Sequence, residues 1–394
     1  MKAVTWAGPN RVTCEETPDP WIVNPRDAVL KVTATTICGS DLHLYDGYVP
    51  AMQRGDILGH EFIGEVVEVG ESARDALSVG DRVCVSPMIA CGSCFFCRQQ
   101  LFSLCDNGNP DAALPEAVWG HSPCGIFGYS HLTGGYAGSH AEYIRVPYAD
   151  TGAVRIPDAV SDTSALFCSD AFATGYFAAD LCDLRGGEVV AVWGAGAVGL
   201  FSIASAYLLG AERVIAIDRF PERLRLARER AGASDVLDYT ETDVVEELKL
   251  LTGGRGPDAC IDAVGMEAHS GGLQSAYDRI KQATRLESER PYVIRECIQA
   301  CRKGGVVSMI GVYGGFADKF PVGALMNKAL QIRTGQVHAQ RYIPRLLEHV
   351  ERGDVDPAFV ATHGMSLQQA QEAYQTFKQK TDACLRVVFR PHAA

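Results

Sequence analysis

The sequence is short of several things, and each shortage closes a class of function. It has no surplus of basic residues: 36 lysines and arginines stand against 48 aspartates and glutamates, a net charge of −12. That sign argues against nonspecific attraction to nucleic acid or to an anionic membrane surface. It has no internal repeat and no low-complexity tract. The opening stretch, Met1 to Asn10, has neither a long apolar run nor a cleavage-site pattern, so no secretory signal and a cytoplasmic location are expected. With 47% hydrophobic and 21% charged residues, the chain is neither disordered nor fibrous. At 394 residues it has room for two or three domains. One uncharged stretch, the 23 residues from Val189 to Ala211, is long enough to cross a bilayer. Three of its four glycines fall in a phosphate-binding pattern, and the membrane reading is set aside.

Cysteine, by contrast, is plentiful: there are 14. In a chain with no leader, a reducing compartment keeps thiols free, and clustered cysteines bind metal more often than they pair. Cys91, Cys94, Cys97 and Cys105 follow C-x2-C-x2-C-x7-C. Four thiolates at this spacing close a tetrahedron from one short segment, and small Gly92 and Ser93 permit the tight turn. Zinc suits such a filled, structural site. An iron–sulfur cluster is the competing occupant.

A second set is dispersed. Cys38-Gly39-Ser40-Asp41-Leu42-His43 follows a strand-like run from Ala28 to Ile37. Gly59-His60-Glu61 precedes another, Phe62 to Val69. Cys168-Ser169-Asp170 comes much later. One thiolate, one imidazole and one further carboxylate or thiolate make a three-ligand site with an open fourth position, the arrangement of catalytic zinc. Singly these residues carry little weight: a lone Cys38 or His60 reads as core, and Asp170 as a cap.

The third signal is Gly194-Ala195-Gly196-Ala197-Val198-Gly199, set between a buried strand, Glu188 to Trp193, and an apolar helix, Leu200 to Leu209. In that context G-x-G-x-x-G predicts a dinucleotide site. Gly194 makes the turn, Gly196 lets the backbone approach the pyrophosphate, and Gly199 lets helix and strand pack closely. A second strand, Arg213 to Ile217, ends in Asp218, whose carboxylate would take the ribose hydroxyls and repel a 2′-phosphate. NAD is favoured over NADP, although adjacent Arg219 would tolerate a phosphate. Strands near Asp235–Asp238, Asp258–Val264, Gly305–Ile310 and Leu330–Thr334, with intervening helices, extend this to a six-stranded doubly wound parallel sheet. The polar stretch Glu267 to Arg290 reads as an exposed insert. Residues 1 to about 165 are rich in strands and glycine. Residues 338 to 394 mix two helices with a closing strand.

Taken together, these motifs and S-D-x-x-x-T-G-Y at Ser169 to Tyr176 resemble the zinc-dependent medium-chain alcohol dehydrogenases over nearly the whole chain. The Cys-Ser-Asp segment and His140 to Asp150 most resemble the formaldehyde dehydrogenase and dismutase branch. The resemblance implies an α/β fold: a GroES-like catalytic domain, 1–170 with 338–394, and a Rossmann NAD-binding domain, 171–337. It implies two zinc ions, one structural on the four cysteines and one catalytic on Cys38, His60 and Asp170, with Glu61 behind the metal or an alternate ligand. Ser40 and His43 would relay the proton. Cofactor contacts would come from Gly39, Ser40, His43, Thr174, Gly194, Gly196, Val198, Gly199, Asp218, Arg223, Val264, Ile310, Val312, Gln336 and His338, with Arg386 at the pyrophosphate. Gly39 stands where some relatives carry a phosphate-binding arginine. Pro87, Trp119, His121 and Phe127 either line the substrate pocket or pack inside the catalytic domain. The implied activity is hydride transfer between a primary alcohol, or an aldehyde hydrate or adduct, and NAD. Two other readings stand beside it: an aldehyde dismutase that retains its NAD, and a non-enzymatic dinucleotide-binding redox sensor. The expected partners are a small alcohol or aldehyde and further copies of the chain, as a tetramer or dimer, with no nucleic acid and no membrane.

Overall fold

The computed structural model describes residues 1–267, 291–315 and 317–393. The chain divides into two compact units, Met1–Ala173 with Val337–Ala394, and Thr174–Gln336. The polar stretch expected as an insert lies, past Glu267, outside the described residues. Among those residues no helix is long and apolar enough to cross a membrane. The uncharged Val189–Ala211 stretch is instead a strand, Val189–Trp193, and a helix, Ala197–Leu208.

The first unit is built on a sheet ordered His363–Met365, Val387–Phe389, Ala28–Thr36, Glu61–Val69, Arg82–Val85, Ala153–Arg155, with Tyr143–Val146 also pairing with Ala28–Thr36. Its central strands are rich in valine and other residues that suit a pleated surface. Leu30, Val32, Phe62, Val66, Val83 and Val85 close one buried cluster. Each such side chain, fully buried, contributes ~1.5–3 kcal/mol. Two registers bring distant residues together at one end of this sheet. Thr36 pairs antiparallel with Glu61, so Cys38, just past one strand, arrives beside His60, just before the other. Thr36 also pairs antiparallel with Val388, which brings Arg386 to the same end.

The second unit is a parallel sheet of six strands ordered Asp235–Asp238, Arg213–Asp218, Val189–Trp193, Ala259–Asp262, Val306–Met309, Gln331–Thr334. Val190, Ala191, Val192, Val214, Ile215 and Ala216 are buried, as expected for strands with both faces covered. The doubly wound order reverses beside Val189–Trp193, and ligands of such sheets bind outside the carboxyl ends of the strands at that switch point. The helix after that strand starts at Ala197, three residues before the apolar run at Leu200 suggests. Gly196 is its N-cap, and Leu200 N–H already donates to the Gly196 carbonyl at 2.9 Å. The first turn is spent inside the glycine pattern itself.

Candidate functional site

The short segment 91–105 gathers four sulfurs. The ligand atoms of Cys91, Cys94, Cys97 and Cys105 all lie within 4.8 Å of one another. Gly92 has φ +75°, and a Cβ there would meet Thr151 Oγ1 at 2.6 Å, so glycine is required at the turn. Amide groups point at the sulfurs. Cys91 Sγ accepts from Cys94 N–H at 3.4 Å and Asn107 Nδ2 at 3.3 Å, and Cys105 Sγ from Cys91 N–H at 3.2 Å. Burial pushes the Cys91 thiol up, but the Ser93, Asn107 and Cys94 donors outweigh it and bring it down to about 6, whereas burial prevails at Cys97 and Cys105 and pushes both thiols up. Donors aimed at sulfur favour thiolates, the form a metal binds. The set fits a four-coordinate zinc with no position left for substrate.

The dispersed residues also meet. Cys38, His60 and Asp170 offer ligand atoms within 4.8 Å of one another, all three buried. Cys38 Sγ is 3.6 Å and His60 Nε2 is 3.5 Å from Asp170 Oδ2. Cys168, the other candidate third ligand, is turned away: its thiol donates to the Ser164 carbonyl at 3.6 Å, within its own helix, Asp162–Cys168. Three convergent donors of mixed softness, buried and without a fourth protein ligand among the described residues, fit zinc with one open position.

Two buried carboxylates stand behind these donors. Asp41 Oδ2 accepts the Cys38 N–H at 2.8 Å, while its Oδ1 lies 3.0 Å from His60 Nδ1. One side chain thereby lies against two candidate ligands, bonded to the Cys38 amide and beside His60, whose Nε2 faces the third. Burial raises the Asp41 carboxyl, but His60 and the Cys38 amide hold it below its usual range. Glu61 holds the other side. Its Oε1 accepts the Ala171 N–H, next to Asp170, at 3.0 Å, and its Oε2 lies 3.0 Å from Arg386 Nη1. Burial pushes the Glu61 carboxyl up to about 7 against the pull of Arg386. Arg386 also donates to the Ile37 carbonyl at 2.6 Å and comes within 4.0 Å of Cys38 Sγ. Expected at a pyrophosphate, this guanidinium is buried and engaged with Glu61 and the Cys38 segment.

Ser40 and His43 lie three apart on the helix Gly39–Tyr45, hence on one face. Ser40 Oγ is 3.2 Å from His60 Nε2, and His43 is buried. Gly39, at the start of that helix, leaves open space where a Cβ would stand. Of the residues that either line a pocket or pack, Phe127 packs: it is buried edge-on to Phe62 with ring centroids 5.4 Å apart. Pro87 is buried, while Trp119 and His121 are exposed at and after the end of the helix Ala113–Trp119. His338 is buried, with its Nδ1 2.9 Å from Ser103 Oγ.

In the second unit, Gly194 has φ +89°, and a Cβ there would meet Val264 Cγ2 at 2.7 Å. A Cβ on Gly199 would overlap the Gly194 carbonyl oxygen, whereas one on Gly196 would meet only Arg223 Nη1, at 3.8 Å. The outer two glycines are thus required by packing, and the middle one leaves an open approach. Val198 occupies the first turn of the following helix, and Thr174 lies in the helix Ala171–Asp180. Asp218 Oδ2 accepts the Ala195 N–H at 2.7 Å, and Oδ1 accepts those of Arg219 at 2.6 Å and Phe220 at 3.1 Å. Arg219 and Arg223 each lie over the Phe220 ring, at 4.8 and 5.1 Å. Ile310 N–H donates to the Asp262 carbonyl at 3.2 Å, and Met266 N–H to that of Val312 at 3.0 Å. Gln336 ends this unit, two residues past the edge strand.

Asp41 was not among the residues singled out from the sequence. Its signal was available: an aspartate three residues after a cysteine at a helix start is the spacing of a capping side chain.

Residues 24–158 match the alcohol dehydrogenase GroES-like domain, and 197–283 match the zinc-binding dehydrogenase domain. An uncharacterized zinc-type alcohol dehydrogenase-like protein of Bacillus subtilis is 39% identical over 99% of this chain and 100% of its own. A zinc-type alcohol dehydrogenase-like protein of Schizosaccharomyces pombe is 37% identical over 98% and 90%. A glutathione-independent formaldehyde dehydrogenase of Pseudomonas aeruginosa is 32% identical over 95% and 94%. Among solved structures, an alcohol dehydrogenase of Thermus superposes with TM-score 0.82 at 33% identity, covering 100% of both chains. A short chain alcohol dehydrogenase of Escherichia coli complexed with NADH has TM-score 0.78 at 25% identity, covering 99% of both chains. A zinc-binding dehydrogenase of Sinorhizobium meliloti bound to NADP has TM-score 0.77 at 26% identity, again covering 99% of both.

Proposed function

The chain belongs to the zinc-type medium-chain alcohol dehydrogenase family, and from that premise we propose that it transfers hydride between a primary alcohol, or the hydrate of a small aldehyde, and NAD. The observation that carries this reading is the convergence of Cys38, His60 and Asp170, with ligand atoms within 4.8 Å of one another. Zinc held there supplies a Lewis acid that favours the deprotonated form of an alcohol. The protein does the rest. Asp41, 3.0 Å from His60 Nδ1, favours a proton on that nitrogen and so leaves Nε2 for the metal. Ser40 accepts the substrate hydroxyl's hydrogen bond, and His43, one helical turn away, receives the proton next. Glu61 and Arg386 fix the Asp170 and Cys38 segments from behind, with Glu61 in reserve as an alternate ligand. The four-cysteine segment holds the second zinc, for structure.

For the cofactor, Gly194, Gly196 and Gly199 shape the pyrophosphate cradle, Val198 and Arg223 flank it, and Val264, Ile310 and Val312 lie on loops at the carboxyl ends of the strands. Asp218 at the end of its strand favours NAD; Arg219 and Arg223 beside it are the residues that would accommodate a 2′-phosphate. The relative named as a formaldehyde dehydrogenase supports an aldehyde hydrate as one substrate, and dismutation is the form that reaction takes when NADH is reoxidised in place. We extend the family reading to a homotetramer or dimer in the cytoplasm. The test is NADH formation by zinc-loaded protein with short alcohols and aldehydes, with and without glutathione, and with NADP in place of NAD. Turnover with NAD is expected; none across the series, in either direction, would overturn the proposal.

A further inference from the structure

We infer that the Tyr129 hydroxyl receives a second oxygen of the substrate, and that the site therefore prefers diols and aldehyde hydrates to alcohols of equal size. This deepens the proposed function and rests on it for the location of the substrate. Two glycines set the geometry. Gly128 has φ +54°, and a Cβ there would overlap the backbone of Gly59. A Cβ on Gly138 would likewise overlap the Leu58 carbonyl. Segments 128 and 138 are pressed onto residues 58–59, immediately before His60, as closely as backbone permits. Gly128 N–H donates to the Tyr136 carbonyl at 3.0 Å, and Phe127 is anchored edge-on to Phe62, so the segment is held on both sides.

The next residue has little freedom. The Tyr129 ring stands edge-on to the His60 imidazole, with centroids 6.2 Å apart and planes at 84°. It packs against the apolar cluster that includes Leu42 and Leu58. The imidazole it stands against is the one that carries Asp41 Oδ1 3.0 Å from its Nδ1 and faces Asp170 with its Nε2. Tyr129 is half-buried, and its hydroxyl makes no hydrogen bond to another described residue, so it is left to a ligand or to water. A tyrosine used only for packing beside a buried imidazole would be served as well by phenylalanine, whereas a phenol placed there usually finds a partner.

Ser40 already serves the reacting oxygen, with its Oγ 3.2 Å from His60 Nε2. A simple alcohol has no other oxygen, so it leaves Tyr129 unmatched. A substrate with a second hydroxyl on the reacting carbon or on its neighbour offers the phenol a donor and an acceptor. Methanediol, the hydrate of formaldehyde, differs from ethanol by a hydroxyl in place of a methyl, and ethylene glycol differs from 1-propanol in the same way. No atom changes hands at Tyr129: it positions the substrate by one hydrogen bond and discriminates by leaving a polar group unpaired when the wrong one enters.

The test separates this from the activity itself. Binding of ethylene glycol and 1-propanol to zinc-loaded protein, without NAD and so without turnover, is measured by ligand-induced thermal shift in wild type and Tyr129→Phe. The expected result is a preference of about tenfold for the diol in wild type, the scale of one hydrogen bond, and its loss in the variant. The ratio of kcat/KM for the same pair should move with it. Equal diol-to-alcohol ratios in wild type and variant would overturn the inference, whether or not the protein turns over. A lost binding preference in a protein that never reduces NAD would leave the Tyr129 assignment standing and sink the hydride-transfer reading instead.

Discussion

The two candidate metal centres of the first unit are built in opposite ways. The four-cysteine centre is local: every donor comes from residues 91–105, and even its supporting amides belong to Cys91, Ser93, Cys94, Cys97 and Asn107. The three-ligand centre joins positions 38 and 60, brought together by strand register, to position 170, held through the Ala171 N–H on Glu61, with Asp41 and Arg386 recruited from behind. A local site can close around its ion and exclude everything else. A site made by the fold presents donors from several directions and keeps a position open. On the proposed reading, a structural metal needs only a short segment, and a reactive metal needs the whole sheet.

That contrast is open to attack, most forcefully at Cys38. Cys38→Ser should reduce metal content from two ions to one and lower kcat/KM by ~10³-fold or more, the several kcal/mol that a Lewis acid supplies. Metal analysis and NADH formation on the same sample check it, and loss of both ions would mean that the centres are not independent. Arg386→Met should be next in size. It leaves Glu61 buried without its cation, at a cost of about 3–5 kcal/mol in chemical denaturation. Adding Glu61→Gln should recover much of that loss; if the double variant is no better than the single, the two side chains do not act as a pair. Cys97→Ser attacks the local centre and should remove its ion and lower Tm by several degrees while the three-ligand centre keeps its metal. Continued binding of two ions would overturn the assignment of that ion to these four sulfurs.

The smallest effect sharpens how the local lobe is braced. Ser103 N–H and Oγ both approach His338 Nδ1, at 3.4 and 2.9 Å, which requires that nitrogen to accept. Burial, helped by Arg341, lowers His338 to about 4. The unfolded chain then binds a proton that the folded one refuses, so stability is fully present above pH ~6.5 and declines as pH falls towards 4. Denaturation at successive pH values should show a shallower acid decline in His338→Gln than in wild type.

What the sequence revealed follows the same division. The four-cysteine spacing and the glycine fingerprint were legible because their geometry is written within a few residues, and the six parallel strands followed from their alternation with helices. The dispersed ligands were legible only as an ordered set. Whether Cys168 or Asp170 completed it was undecidable from spacing; the direction in which the Asp162–Cys168 helix turns the Cys168 thiol, back onto Ser164, distinguishes the two. The contact of Arg386 with Glu61 was equally hidden, since it depends on which strand lies beside Ala28–Thr36. Tyr129 carried no motif. Its place is set by backbone contact at Gly59 and Gly128, which no pattern of side chains records.

The pairing of Val388 with Thr36 has a consequence in time. Val387–Phe389 comes long after Ala28–Thr36 in sequence, yet it covers a flank of that strand. During synthesis that flank waits tens of seconds for its neighbour, at roughly 5–20 residues per second. Until then Glu61 lacks its counter-charge and Cys38 its backing. The three-ligand centre is therefore complete only once Arg386 has been made, and a polypeptide interrupted before that point has its cysteine segment but lacks this backing.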